Sequence, residues 1–133
     1  MTGKWHLILV VGALAAGLVG CGDDEELCSG NNCVCTAGSS CTMSCPENSS
    51  CDIQCASGST CTASCGASTA SCDIECSTAS SCQADCTNSS NCDVTCPANC
   101  TVRNCTLGDD CTVVCGFTGL ATQVGANAVC GSG

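Results

Sequence analysis

Between Cys41 and Cys96 the chain places a cysteine after three residues, then after five or six, then after three again. The units align as Cys41-Thr-Met-Ser-Cys45, Cys51-Asp-Ile-Gln-Cys55, Cys61-Thr-Ala-Ser-Cys65, Cys72-Asp-Ile-Glu-Cys76, Cys82-Gln-Ala-Asp-Cys86 and Cys92-Asp-Val-Thr-Cys96. The period is ten residues, with one extra between Cys65 and Cys72, and Cys100–Cys105 and Cys111–Cys115 continue it less regularly. Self-similarity at so short a fixed period predicts a solenoid.

Within each unit an apolar residue sits between two mostly polar ones: Met43, Ile53, Ala63, Ile74, Ala84, Val94, Val102 and Val113. Alternation with period two predicts a half-buried strand, with both cysteines and the middle residue on one face. The intervening Ser, Thr, Asn and Gly form turns readily and helices poorly. Each ten-residue unit is therefore expected to be one coil, about eight in all, stacked about 4.8 Å apart with a single interior ladder. The fold class is all-β and small disulfide-rich: a short-coil, ten-residue β-solenoid over residues 28–115. Solenoid ends expose their interiors and need closing. Residues 116–133 leave the rhythm and are expected to form the C-terminal cap, with Phe117, Leu120 and Val124 as its apolar group.

The cysteines number 21 in 133 residues, and Trp5 and Phe117 are the only aromatics. One aliphatic residue per unit buries roughly 1.5–3 kcal/mol at best, less than the cost of ordering ten residues. Disulfides are the expected compensation. A five-residue strand holds its ends about 13 Å apart, whereas disulfide Cα atoms lie within about 7 Å. Cys51 and Cys55 therefore cannot bridge if extended, and Cys45 and Cys51 can. Pairing across turns gives Cys28–Cys33, Cys35–Cys41, Cys45–Cys51, Cys55–Cys61, Cys65–Cys72, Cys76–Cys82, Cys86–Cys92, Cys96–Cys100, Cys105–Cys111 and Cys115–Cys130. The alternative joins each three-residue pair and leaves Cys28, Cys33, Cys35 and Cys130 without a scheme; spacing alone does not decide connectivity.

The N-terminus carries Lys4, then an apolar run of 13 residues from Leu7 to Val19. That length suits a signal-peptide core better than a transmembrane helix. The run ends in Leu18-Val19-Gly20-Cys21, which resembles the lipobox of bacterial lipoproteins. The resemblance covers residues 1–21. It implies a lipoprotein signal peptide over 1–20, acylation at Cys21, and an acidic spacer completing 21–27. It further implies a lipid-anchored protein of the bacterial cell envelope. In that family an Asp after the lipidated cysteine can mark inner-membrane retention; Gly22 here points to the outer membrane.

Cleavage before Cys21 would remove Lys4 and His6, leaving twelve acidic residues against a single base, Arg103. So acidic a chain is a poor partner for nucleic acid, which requires a basic patch. Without His or Lys it lacks the usual base for a Ser or Cys nucleophile, and no cofactor or enzymatic activity is expected. Thiolate-metal binding is a rival use of the cysteines, but the only Cys-x-Cys is Cys33-Val-Cys35 and export favours disulfides. Asp73, Glu75, Asp85 and Asp93 are weak calcium candidates, carboxylates being its natural ligands, with Glu75 and Asp85 expected to stack one coil apart. The competing explanation is a solvated acidic face that keeps the rod soluble. Asn48, Asn88, Asn99 and Asn104 head glycosylation sequons that composition alone accounts for.

The repeat region resembles the disulfide-braced β-solenoids of insect antifreeze proteins in its short Cys-, Thr- and Ser-rich coils. This resemblance supports the architecture more than ice binding, since Asp52, Asp73 and Asp93 are expected to interrupt the threonine ladder. The function expected is a membrane-anchored, non-enzymatic envelope module for structure, adhesion or protein contact. Its partners are a membrane, through the lipid, and another protein or surface.

Overall fold

A computed structural model describes residues 26–27, 31–66, 68–76, 81–97, 100–116 and 119–131. Cys21, Cys28 and Phe117 lie outside them, as do the signal peptide and Asn99. Thirteen β-strands and no α-helix occupy the described residues: β1 (Glu26–Leu27), β2 (Asn32–Cys35), β3 (Ser40–Ser44), β4 (Ser50–Cys55), β5 (Thr60–Ser64), β6 (Ser71–Cys76), β7 (Ser81–Asp85), β8 (Cys92–Cys96), β9 (Cys100–Arg103), β10 (Cys111–Cys115), β11 (Gly119–Leu120), β12 (Thr122–Val124) and β13 (Asn127–Cys130).

The strands form two facing sheets of a β-solenoid of about four turns. Sheet A runs β1-β3-β5-β7-β9-β13-β12, and sheet B runs β11-β10-β8-β6-β4-β2. Neighbours through β10 are parallel and in register: Cys51 beside Cys72, Cys72 beside Cys92, Cys41 beside Cys61 and Cys61 beside Cys82. A full coil is thus two repeats, about twenty residues, and not the single repeat expected from sequence. The reason is geometric. One strand and one turn reverse the chain once, and a parallel neighbour requires a second reversal, so each ten-residue unit makes half a coil.

This doubling also corrects the single interior ladder. Ile53, Ile74, Val94 and Val113 line sheet B, with Cys33 in register beside Ile53, whereas Met43, Ala63, Ala84, Val102 and Ala128 line sheet A. The large–small alternation along the sequence is a division of labour between sheets. Ile53, Ile74 and Val94 on sheet B alternate along the chain with Ala63 and Ala84 on sheet A, while Met43 and Val102 keep larger side chains toward the two ends of sheet A. All of these residues are buried.

Turns at the two edges use different devices. Where sheet A passes to sheet B, Asn48 (φ 57°), Ser68 (φ 60°) and Asn88 (φ 58°) take the left-handed conformation, which Asn tolerates better than most residues. At the opposite edge the position belongs to Gly38 (φ 78°) and Gly58 (φ 77°). Hydroxyls tie the turns shut: Ser59 Oγ donates to the Ala56 carbonyl and Thr69 Oγ1 to the Gly66 carbonyl, each at 2.6 Å. Turns then stack on turns, Thr60 N donating to Ser39 O and Ser90 N to Thr69 O. Two sequon asparagines, Asn48 and Asn88, are thus accounted for as turn residues.

At the C-terminal end the strands turn antiparallel. β13 pairs with β9, β12 with β13 and β11 with β10. Leu120 is 92% exposed and Val124 is 56% exposed, so neither fills the end of the interior as expected. Buried Ala128 does so, while Gln123 fastens the hairpin. Gln123 Nε2 donates to the carbonyls of Cys105, Gly125 and Asn127, and its Oε1 accepts from Leu107 N. A polar side chain succeeds here because the closing problem is one of unpaired backbone carbonyls as well as of apolar area.

Candidate functional site

Because strands alternate and coils repeat every twenty residues, outward side chains sort by sheet. Sheet B presents Asp52, Asp73 and Asp93 side by side on β4, β6 and β8, with Asn32 and Thr112 at the ends of the row. A parallel row carries Gln54, Glu75 and Thr95. Sheet A presents Thr42, Thr62, Gln83 and Thr101 in one row and Ser44, Ser64, Asp85 and Arg103 in the next. One face is acidic and the other is mostly hydroxyl-bearing.

Of the four candidate carboxylates, the structure brings Asp73, Glu75 and Asp93 to one face and sends Asp85 to the other. Glu75 and Asp85 do not stack: Glu75 lies between Gln54 and Thr95, and Asp85 beside Ser64 and Arg103. The missed member is Asp52, which a twenty-residue period places directly beside Asp73. Likewise the aspartates do not break the sheet A threonines at alternate coils. Gln83 interrupts that row, and Asp85 and Arg103 end the serine row.

Asp73 and Asp85 have opposite electrostatics. Partial burial, then the charges of Asp52, Asp93 and Glu75, push the Asp73 carboxyl above its ordinary range. Partial burial alone would also raise Asp85. Hydrogen bonds from Thr87 and Asn104 and the positive charge of Arg103 outweigh it and hold Asp85 low. Thr87 donates through its backbone N and its hydroxyl, and Asn104 Nδ2 donates at 2.9 Å.

The sign of the linkage follows. The stabilising contribution of Asp73 is complete below its unfolded pKa and is lost as pH rises through the folded value, so ionised Asp73 costs stability at neutral pH. Asp85 contributes above its unfolded pKa and loses that contribution as pH falls through its folded one. Asp73→Asn is therefore expected to raise the guanidinium midpoint slightly at pH 7 and to leave it unchanged near pH 3, below the ordinary Asp pKa of about 3.9. Asp85→Asn is expected to lower it at pH 7. A lower midpoint for Asp73→Asn at pH 7 would show that the row is held together by something other than tolerated repulsion.

As a calcium site the acidic face is thin. A flat ladder sets carboxylates beside one another in pairs, whereas calcium takes six to eight oxygens. Among the described residues no carboxylate group brings three ligand atoms within 4.8 Å of one another.

The sulfurs do cluster. Nine bridges lie among the described residues, eight closing turns and the last pinning the C-terminal strands: 35–41, 45–51, 55–61, 65–72, 76–82, 86–92, 96–100, 105–111 and 115–130. Their Cα atoms lie 5.3–6.3 Å apart, and Cys33 is also disulfide-bonded. Sets such as Cys45, Cys51 and Cys72, or Cys65, Cys86 and Cys92, hold three sulfurs within 4.8 Å. Each contains a whole bridge and one sulfur of the next, so the oxidised column offers no thiolate to a metal.

A groove of about 640 Å³ crosses sheet A beside Gln83, Thr101, Arg103, Thr122, Val124 and Val129. Among its described lining residues Arg103 is the one charged side chain. The chain matches no family model, no curated protein and no solved structure.

Proposed function

We propose that this chain is a lipid-anchored, non-enzymatic envelope module: a short braced rod that presents one hydroxyl-rich face for contact and keeps an acidic face to solvent. The observation that carries this reading is the sorting of outward residues. Thr42, Thr62, Thr101, Ser44 and Ser64 share sheet A, while Asp52, Asp73, Asp93 and Glu75 share sheet B. A flat array of hydroxyls over a backbone fixed by bridges at both edges binds with little ordering cost. The acidic face opposes self-association and approach to anionic lipid. The anchor rests on Leu18-Val19-Gly20-Cys21 after its apolar run; the expected spacer 21–27 is shorter by two residues, because Glu26–Leu27 already pair with β3 as part of the rod.

Expression of the whole chain in a bacterium with two membranes, followed by fractionation and intact mass, tests the anchor. The wild type is expected in the outer-membrane fraction, beginning at Cys21, with its mass raised by acyl chains. Cys21→Ala is expected to lose that increment and to leave the membrane fraction. A wild-type Cys21 found in a disulfide, or a Cys21→Ala protein still membrane-bound, would overturn the anchored reading.

A further inference from the structure

Four bridges stack along the edge where sheet A passes to sheet B: Cys45–Cys51, Cys65–Cys72, Cys86–Cys92 and Cys105–Cys111. Between rungs, Cys45 Sγ lies 3.6 Å from Cys72 Sγ, Cys65 Sγ 3.5 Å from Cys92 Sγ, and Cys86 Sγ 3.8 Å from Cys111 Sγ. The order of these contacts is head to tail. Cys72 is bonded to Cys65, which touches Cys92; Cys92 is bonded to Cys86, which touches Cys111. Each sulfur that would be released by attack on one rung is the sulfur already in contact with the next.

We infer that this edge is an intramolecular thiol relay, in which a free thiol generated at one rung migrates along the rod by successive disulfide exchange. The steps balance without a net oxidant. A thiolate at Cys45 attacks Cys72 Sγ; the Cys45–Cys72 bond forms, the Cys65–Cys72 bond breaks, and the electron pair leaves on Cys65. Cys65 then attacks Cys92 and releases Cys86, and Cys86 attacks Cys111 and releases Cys105. One thiolate enters, one leaves, and each bridge within a coil becomes a bridge between coils. Every exchange requires a sulfur to close from 3.5–3.8 Å to about 2.05 Å. It replaces one S–S bond by another, so the thiol is shared among rungs. The attacking species is the thiolate, which burial disfavours, so migration quickens as pH rises toward the thiol pKa.

Access is also built into this edge. A groove of about 610 Å³ is bordered by Cys45 and Cys65, and a second of about 200 Å³ by Cys86 and Cys111. Every inter-rung contact thus involves a cysteine that borders a groove but is itself buried, and a small dithiol is the reductant suited to it. Such a reductant supplies two electrons and two protons to open a rung and is itself oxidised to a disulfide.

Cys51→Ser in the whole oxidised chain leaves Cys45 as the one new thiol and needs no reductant. After incubation at pH 8.5, alkylation and peptide mapping under non-reducing conditions, label is expected at Cys45, Cys65, Cys86 and Cys105. The share on Cys45 falls to about a quarter if the four sites are equivalent. Adding Cys65→Ser and Cys72→Ser removes one rung and is expected to confine the label to Cys45. Label confined to Cys45 in Cys51→Ser itself overturns the relay. Should that variant fail to fold, the wild type treated with one equivalent of dithiothreitol decides the matter. Cys45–Cys72, Cys65–Cys92 or Cys86–Cys111 linkages support migration, and alkylation only of intact native pairs overturns it.

Discussion

Excess phosphine reductant at neutral pH is expected to abolish the sheet signal of this protein and to expose it to thermolysin within minutes. The oxidised chain is expected to keep both its sheet signal and its resistance above about 90 °C, in the hyperstable range. The expectation comes from how little each half-coil buries. Ile53, Ile74 and Val94 are fully enclosed, but each is worth only about 1.5–3 kcal/mol. Ordering the ten residues around each costs more backbone freedom than that burial offsets. A bridge closing a loop of about seven residues removes about 2.4 kcal/mol of that freedom from the unfolded chain, and bridges recur at nearly every turn. Breaking them returns the entropy to the unfolded ensemble while leaving the interior as thin as before. Circular dichroism and a protease time course before and after reduction and alkylation measure the effect. A reduced, alkylated chain that kept its sheet and its resistance would mean that the stacked backbone ladders alone hold the rod.

Which parts of this architecture were legible follows from what periodicity encodes. Cys-x-apolar-x-Cys fixes a strand and its inward face, and the burial of Cys51, Ile53 and Cys55 against exposed Gln54 follows that rule. Periodicity does not encode how many strands close a coil, because both a ten- and a twenty-residue coil repeat every ten residues. The discriminating signal was present in the alternation of Ile53, Ala63, Ile74 and Ala84 and in Asp52, Asp73 and Asp93. A property that recurs every second repeat marks a coil of two repeats. Taking each repeat as a whole coil with a single interior ladder separated Asp52 from Asp73 and joined Glu75 to Asp85. Gln123 carried no signal at all. Its four hydrogen bonds reach Cys105, Leu107, Gly125 and Asn127, so the role exists only once the chain has doubled back. Leu120 and Val124 misled for the converse reason, since apolar residues at a solenoid end are not obliged to face inward.

The charge pattern and the sulfur pattern share a cause. Parallel stacking in register sets each residue beside its equivalent in the next coil, so identical chemistry accumulates in columns. For hydroxyls this is inexpensive, as Ser64 Oγ donating to Ser44 Oγ at 2.9 Å shows. For carboxylates it brings repulsion, visible in the raised Asp73. For cystines it brings sulfurs of successive rungs within 4 Å. The covalent brace can therefore tolerate a row of like charges that an ordinary small sheet would resist, and the same brace sets the path along which a thiol would move.

Ile74→Ala is expected to cost about 2–5 kcal/mol, as for other buried aliphatic truncations, because the rigid coil has little freedom to collapse onto the void. Ala84→Ile is expected to cost about 1–3 kcal/mol through overpacking. Ile74 lies on sheet B and Ala84 on sheet A of the same coil, both essentially inaccessible to solvent. If the two sheets divide one interior volume, the double variant restores that volume with its halves exchanged. It should then be more stable than the sum of the single changes allows by about 0.5–3 kcal/mol, the range for residues sharing a cavity. Guanidinium unfolding with all bridges intact measures the cycle. Strict additivity would show that Ile74 and Ala84 pack against separate neighbours, and the large–small alternation along the sequence would then need a cause other than complementarity between the sheets.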